Sequence, residues 1–281
     1  MKTSFLTLSM LCVGLFVNAQ TPTADQVIDK YLTAIGGKEA IAKIQDITIA
    51  SGAETQRGTM ETETKIKMPN KFTTATYMMG NEVSRVVCDG TKASMQSGFM
   101  GNQQTRVFEG NDAIGQIISG NPFPELLYDQ YKIQKTVVGQ DTVAGKLAWK
   151  VEFAIPEGRK WTESFDVESG LKVKRAMVMD PNRAGGRGGM GGQGGQRDGA
   201  QGPPQGQGGG QGGQGGGRGG MGMGGGMGNA IFSDYKEIKD GNGVKIPFTR
   251  QQGFGQMNMT ITVSSVKVNK GVKDSAFEIK Q

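Results

Sequence analysis

The sequence predicts an α+β fold that is mostly β: an antiparallel sheet of about ten strands curved around a few helices. Three observations predict it. Short runs with a two-residue apolar/polar alternation recur along the whole chain. Tight turns rich in Gly, Asn and Asp join them, and such turns are too short for the crossovers of a parallel sheet. Helical periodicity is confined to the start and the middle of the chain.

The first residues stand outside that fold. Lys2, the apolar run from Phe5 to Phe16 and the small-residue signal Val17-Asn18-Ala19 have the layout of an export signal, residues 1–19, with cleavage expected after Ala19. The run is too short to span a bilayer. Cys12 would suit lipid attachment only behind a small residue, and Leu11 stands there. The expectation is an exported, periplasmic protein, soluble or peripherally associated with the outer membrane. After cleavage Cys88 is the one cysteine left, so no disulfide can staple the fold. Within the apolar run Val86-Val87-Cys88 it reads as a buried, inert thiol. The net charge of +6 falls by one with Lys2, and its basic residues are spread along the strands as a solvated surface.

Helix signals open the mature chain. Thr23 with Gln26 three residues on forms a capping box, and Asp25 suits the positive end of the helix dipole. Val27, Ile28, Tyr31, Leu32 and Ile35 recur at helical spacing, and Gly36-Gly37 ends the helix. A short second helix over Lys38 to Lys43 adds Ile41 and Ile44 to the same apolar surface. A strand at Ile47 to Gly52 follows. Thr59 to Met68 then alternates Met60, Thr62, Thr64, Ile66 and Met68 with Thr59, Glu61, Glu63, Lys65 and Lys67, which is a half-buried antiparallel strand. Lys71 to Met78 is another. Glu82 to Cys88 and Lys92 to Ser97 form a hairpin over Asp89-Gly90.

Regularity lapses from Gly98 to Gln130, with helical segments expected at Asp112 to Ser119 and Glu125 to Tyr131. Strand signals resume at Tyr131 to Val138, Leu147 to Ile155, Trp161 to Val167 and Leu171 to Met179. They continue at Ala230 to Ile238, Val244 to Arg250 and Gln256 to Val268. In the last of these the apolar positions are odd at Met257, Met259 and Ile261 but even at Val266 and Val268, which predicts a bulge near Ser264-Ser265.

Between two of these strands lies the tract Ala184 to Gly228, more than half glycine. It cannot bury enough apolar surface to offset its ordering entropy, and disorder is expected. Because its flanks read as consecutive strands of one sheet, residues 20–281 are expected to form a single domain interrupted at 184–228 by a surface spacer.

The segments TAIGGKEAIAKI, FDVESGLKVKR, SDYKEIKDGNGVKIPF and VKVNKGVKDSAFEI together resemble the LolA/LolB-like superfamily, in particular its periplasmic outer-membrane lipoprotein-sorting-like branch. The resemblance covers almost all of the mature chain except the glycine tract and carries no catalytic signature. It implies a half-open barrel whose concave apolar face receives the acyl chain of a lipid or lipoprotein, with envelope membrane proteins as donor and acceptor. A site for varied acyl chains needs an adaptable apolar lining. The candidates here are Met60, Ile66, Met68, Met78, Met257, Met259 and Ile261; the same stripe also reads as ordinary strand core.

Enzymatic signatures are missing from the sequence. There is no histidine, which excludes Ser-His-Asp and Cys-His catalysis and every His-based zinc site. The carboxylate pairs Glu61/Glu63 and Asp166/Glu168 read as solvated faces. No cofactor is expected, since no Gly-Lys-Ser/Thr follows the glycine repeats. Two alternatives stay open. A solid barrel could serve as a structural envelope-interaction module with the glycine tract as tether. Less favoured is Cu(I) capture by Met221, Met223 and Met227. The Gly-Arg-Gly-Gly elements at Arg187 and Arg218 resemble RNA-binding segments, but an exported protein seldom meets nucleic acid, and none is expected as partner.

Overall fold

A computed structural model describes residues 21–56, 58–99, 102–178, 229–254 and 257–279. The export signal, the glycine tract and Met221, Met223 and Met227 lie outside the described residues, as does the side chain of Met257.

Helix α1 (Ala24–Ala34) begins at the expected capping box: the Thr23 amide donates to Gln26 Oε1 at 2.8 Å and the Gln26 amide to Thr23 Oγ1 at 3.2 Å. Gly36, at φ +116°, turns the chain into α2 (Lys38–Ala42). Six strands follow: β1 (Asp46–Thr55), β2 (Gly58–Lys67), β3 (Lys71–Met78), β4 (Asn81–Cys88), β5 (Ala93–Phe99) and β6 (Asn102–Phe108). Helix α3 (Gly110–Gly120) and a 3-10 turn (Pro124–Leu127) occupy the middle. Seven strands complete the chain: β7 (Gln134–Val143), β8 (Lys146–Ala154), β9 (Lys160–Asp166), β10 (Lys172–Val178), β11 (Ala230–Glu237), β12 (Lys245–Phe254) and β13 (Met257–Val268). A second 3-10 turn, Asp274–Phe277, follows.

All the strands form one antiparallel sheet in the order β6-β5-β4-β3-β2-β1-β13-β12-β11-β10-β9-β8-β7, curved but not closed. The sheet is therefore two meanders joined where the first strand pairs with the last. The expected bulge is present: Ala50 pairs with Ser265 but Ser51 with Val263, and the skipped Ser264 hydroxyl donates to the Ala50 carbonyl at 3.2 Å. Strands β10 and β11, which flank the glycine tract, pair directly through Lys174 with Ile231 and Arg175 with Ala230. The sheet has 13 strands against the expected ten or so. The strand absent from the sequence reading is β6, an edge strand whose polar run Asn-Gln-Gln-Thr shows no apolar alternation.

The core follows from register. Val268, Ile47, Ile66, Phe72, Cys88, Ala93 and Phe108 lie opposite one another across seven neighbouring strands, and each is buried. The helices cover this row. Phe72 reaches up to Gly120 of α3, where a Cβ would stand 2.5 Å from its ring. On the other meander the Tyr31 ring of α1 meets Phe165 at 5.5 Å. The helices thus cover one face of the sheet.

Cys88 is 0% exposed, and its thiol donates to the Asn70 carbonyl at 3.7 Å. Burial pushes its pKa up to about 11. In the chain lacking residues 1–19, a thiol reagent at pH 8 is expected to leave the folded protein unmodified and to label one thiol per chain in denaturant. Rapid labelling of the folded protein would contradict the packing described.

Candidate functional site

Beyond the helix-covered row, the same face of the sheet continues along the strands past the described helices. Alternation on β2 and β3 brings Thr64 opposite Thr74 and Thr62 opposite Thr76, with hydroxyl pairs at 3.1 Å and 3.5 Å. Further along, Met78 lies opposite Met60, and Met60 opposite Ala53. Ala53, Met60 and Ile261 form a second, small apolar cluster with Met259 against it. Arg250 lies opposite Ile261, and Phe232 opposite Arg250. One row thus crosses six strands: Met78, Met60, Ala53, Ile261, Arg250, Phe232.

The candidate lining residues divide between two places. Met60 and Ile261 share the small cluster with Met259, and Met78 joins them by register. Ile66 is 1% exposed in the helix-covered core, and Met68, partly buried, packs against that core. The backbone of Met257 pairs with Phe254. The expected group is therefore one row on the uncovered face plus two residues belonging to the main core.

Next to this row lies a buried ion cluster that the sequence reading missed. Glu163 on β9 is 0% exposed; Arg175 Nε donates to its Oε1 at 2.7 Å, and Lys172 Nζ stands 3.5 Å from Oε2. Lys172 also donates to Glu125 Oε1 from the first 3-10 turn. The two carboxylates and two cations balance. A bulge makes the cluster possible: Lys172 pairs with Phe165 and Lys174 with Ser164, leaving Val173 as the extra residue. Strict alternation would send Lys172 and Arg175 to opposite faces, whereas the bulge turns both inward.

Aromatic rings enclose the charges. The Lys172 ammonium lies 5.0 Å above the Tyr31 ring, and Tyr235 donates its hydroxyl to the Lys172 carbonyl at 2.8 Å. Trp161 stacks on Phe153 at 5.4 Å, with Tyr128 at 5.0 Å from Phe153. Burial raises the pKa of Glu125, reinforced by Glu163 and only partly offset by Lys172. For Glu163 burial acts in the same direction, but the Lys172 and Arg175 charges outweigh it and hold the carboxyl below its ordinary range. Burial likewise holds the Tyr31 and Tyr128 hydroxyls well above theirs. Fully enclosed, the cluster is suited to fixing β9, β10 and the 3-10 turn in one arrangement.

Arg175 extends the cluster to the uncovered face, since Arg175, Ala230, Gln252 and Met259 lie opposite one another across four strands. Two surface depressions lie elsewhere. One of about 470 Å³ is bounded by Asp29 and Lys38 at the α1–α2 junction; the other, about 420 Å³, lies by Lys65 and Lys270. Neither touches the row or the cluster. No group of three or more His, Cys, Asp or Glu among the described residues could hold a metal ion, and none of the described helices is long and apolar enough to cross a membrane.

No family model and no curated protein matches the sequence. Solved structures do match in fold. The chain is similar to a DUF1329 family protein from Desulfovibrio piger, at 11% identity and a TM-score of 0.52, covering 92% of this chain and 98% of that one. It is also similar to a LolA superfamily protein from Nitrosomonas europaea, at 9% identity and a TM-score of 0.50, covering 92% of this chain and 99% of that one. The fold is LolA-like.

Proposed function

We propose that this LolA-like chain is an exported, non-enzymatic carrier that binds the acyl chain of a lipid or lipoprotein on the uncovered part of its concave face. The observation that carries the reading is the row Met78, Met60, Ala53 and Ile261, with Met259 beside it. It is apolar, it lies beyond the described helices, its Ala53, Met60 and Ile261 are buried against one another, and its methionines can adapt to a chain of variable shape. The LolA superfamily likeness supports the scaffold. The layout of residues 1–19 supports periplasmic placement, with envelope membrane proteins as donor and acceptor. In this reading residues 20–281 are one domain, and 184–228 is a spacer between paired strands rather than part of the site.

Titration of the delipidated mature protein with a dansyl-labelled fatty acid is expected to give saturable binding. Met60→Asp sets a charge into the apolar cluster and is expected to weaken binding about tenfold or more, with the far-UV spectrum unchanged. Non-saturable uptake, or equal affinity in the variant, would count against the site.

A further inference from the structure

We infer that the ligand of the concave face is an amphiphile with an anionic head group, phosphate or carboxylate, and that Arg250 receives that head group. The inference rests on the acyl-chain reading above and adds a ligand class to it. Arg250 shares a face and a row with Ile261, Ala53, Met60 and Met78. Among the described residues it has no ion pair and no side-chain hydrogen bond. Its neighbour Arg175 is the contrast, because Glu163 neutralises it. The sheet thus holds two arginines close together on its inner face, one with a carboxylate and one without.

The position of Arg250 makes that missing partner informative. Arg250 is exposed to solvent, with Ile261 and Phe232 opposite it on the two neighbouring strands. Its pKa is pushed down from the ordinary value, first by desolvation and then by repulsion from Arg175, whose guanidinium lies on the same face. An arginine stays protonated even so, and an anion placed there relieves both effects at once. A guanidinium also matches the two oxygens of a carboxylate or phosphate in geometry. From Arg250 to Met78 the row spans four strand spacings, roughly 19 Å of arc at about 4.8 Å each. A single elongated ligand can therefore place its charge on β12 and its chain along β13, β1, β2 and β3.

The test compares palmitate, hexadecyl phosphate, uncharged monopalmitoylglycerol and inorganic phosphate on the mature chain and its Arg250→Gln and Arg250→Lys variants. Displacement of a neutral fluorescent acyl probe, below the aggregation concentration of each amphiphile, reports affinity. The anionic amphiphiles are expected to bind about 10- to 100-fold more tightly than the uncharged one, as a charge-assisted contact implies. Arg250→Gln is expected to lower the affinity for the anionic amphiphiles to that for monopalmitoylglycerol, and Arg250→Lys to restore part of the preference. Palmitate against hexadecyl phosphate then identifies the head group. Equal affinity for charged and uncharged amphiphiles overturns the inference and leaves the carrier reading intact. Binding of inorganic phosphate alone as tightly as hexadecyl phosphate also overturns it, since the row would then contribute nothing. If no amphiphile displaces the probe, the carrier reading fails and the inference with it.

Discussion

Glu163→Ala is expected to destabilise the fold by about 3–5 kcal/mol, because it leaves two buried cations facing a single carboxylate. Arg175 would lose its contacts to Glu163 at 2.7 Å and 2.6 Å, and Lys172 its second anion. Urea denaturation at pH 7 measures the loss as a lower midpoint with the slope unchanged. Glu125→Gln is the comparison. Burial already raises the pKa of Glu125, so its charge is the less favourable of the two, and a smaller loss of about 1–2 kcal/mol is expected. Equal losses would mean that the two carboxylates are equivalent, against the arrangement described.

The pH dependence separates them further. With its folded pKa depressed, Glu163 contributes stability that is present above the ordinary value of 4.5 and lost as pH falls through the lower folded value. Glu125 has the opposite sign: with its folded pKa raised, its contribution is present below 4.5 and lost as pH rises through the folded value. The stability gap between wild type and Glu163→Ala is therefore expected to narrow below about pH 4.5. Glu125→Gln is expected to remove a contribution that grows toward acid pH. A gap for Glu163→Ala that widens on acidification would reverse the assignment.

Gly36→Ala is expected to cost about 2–5 kcal/mol, the sum of backbone strain and overpacking. At φ +116° an added Cβ would stand 2.7 Å from the Gly243 carbonyl oxygen and 2.9 Å from Val244 Cα, both backbone atoms in the turn before β12. The Lys245 amide donates to the Ile35 carbonyl at 2.8 Å across the same contact, so relief by separation breaks a hydrogen bond. Gly37 makes the control. It has φ +89° but nothing within 4 Å of where a Cβ would stand, so Gly37→Ala carries the strain alone. Thermal melts of the two variants separate the two costs, and similar melting temperatures would mean that the Gly243 contact yields easily. The contact seats the α1–α2 junction against the β11–β12 turn.

Much of the fold was legible. The capping box at Thr23, the alternation of β2 and the bulge at Ser264 each follow from local rules that the surrounding structure does not override. The candidate site was legible only by face. Alternation places Met60 and Ile66 on one side of β2, but which positions a helix covers is decided by the packing of α3 and α1, far away in sequence. The ion cluster was hidden for a sharper reason. A charged residue in a strand is assigned to water by default, and the bulge at Val173 that turns Lys172 and Arg175 to one face has no signature in Lys-Val-Lys-Arg. One signal was available: Trp161 and Phe165 flank Glu163 at two-residue spacing, placing a carboxylate on an aromatic inner face.

The pairing of the first described strand with the last also bears on the order in which the sheet can be completed as the chain folds. Hairpins β1 to β6 can form from local contacts as they emerge, but β1 keeps one open edge until β13, the final strand, is made. Until β13 docks, the folding chain carries an unpaired β1 edge next to a partly built apolar face, the combination that invites pairing with a second copy. Delivery of the last strand closes that window, so the residues from Met257 to Val268 act as the latch of the whole sheet.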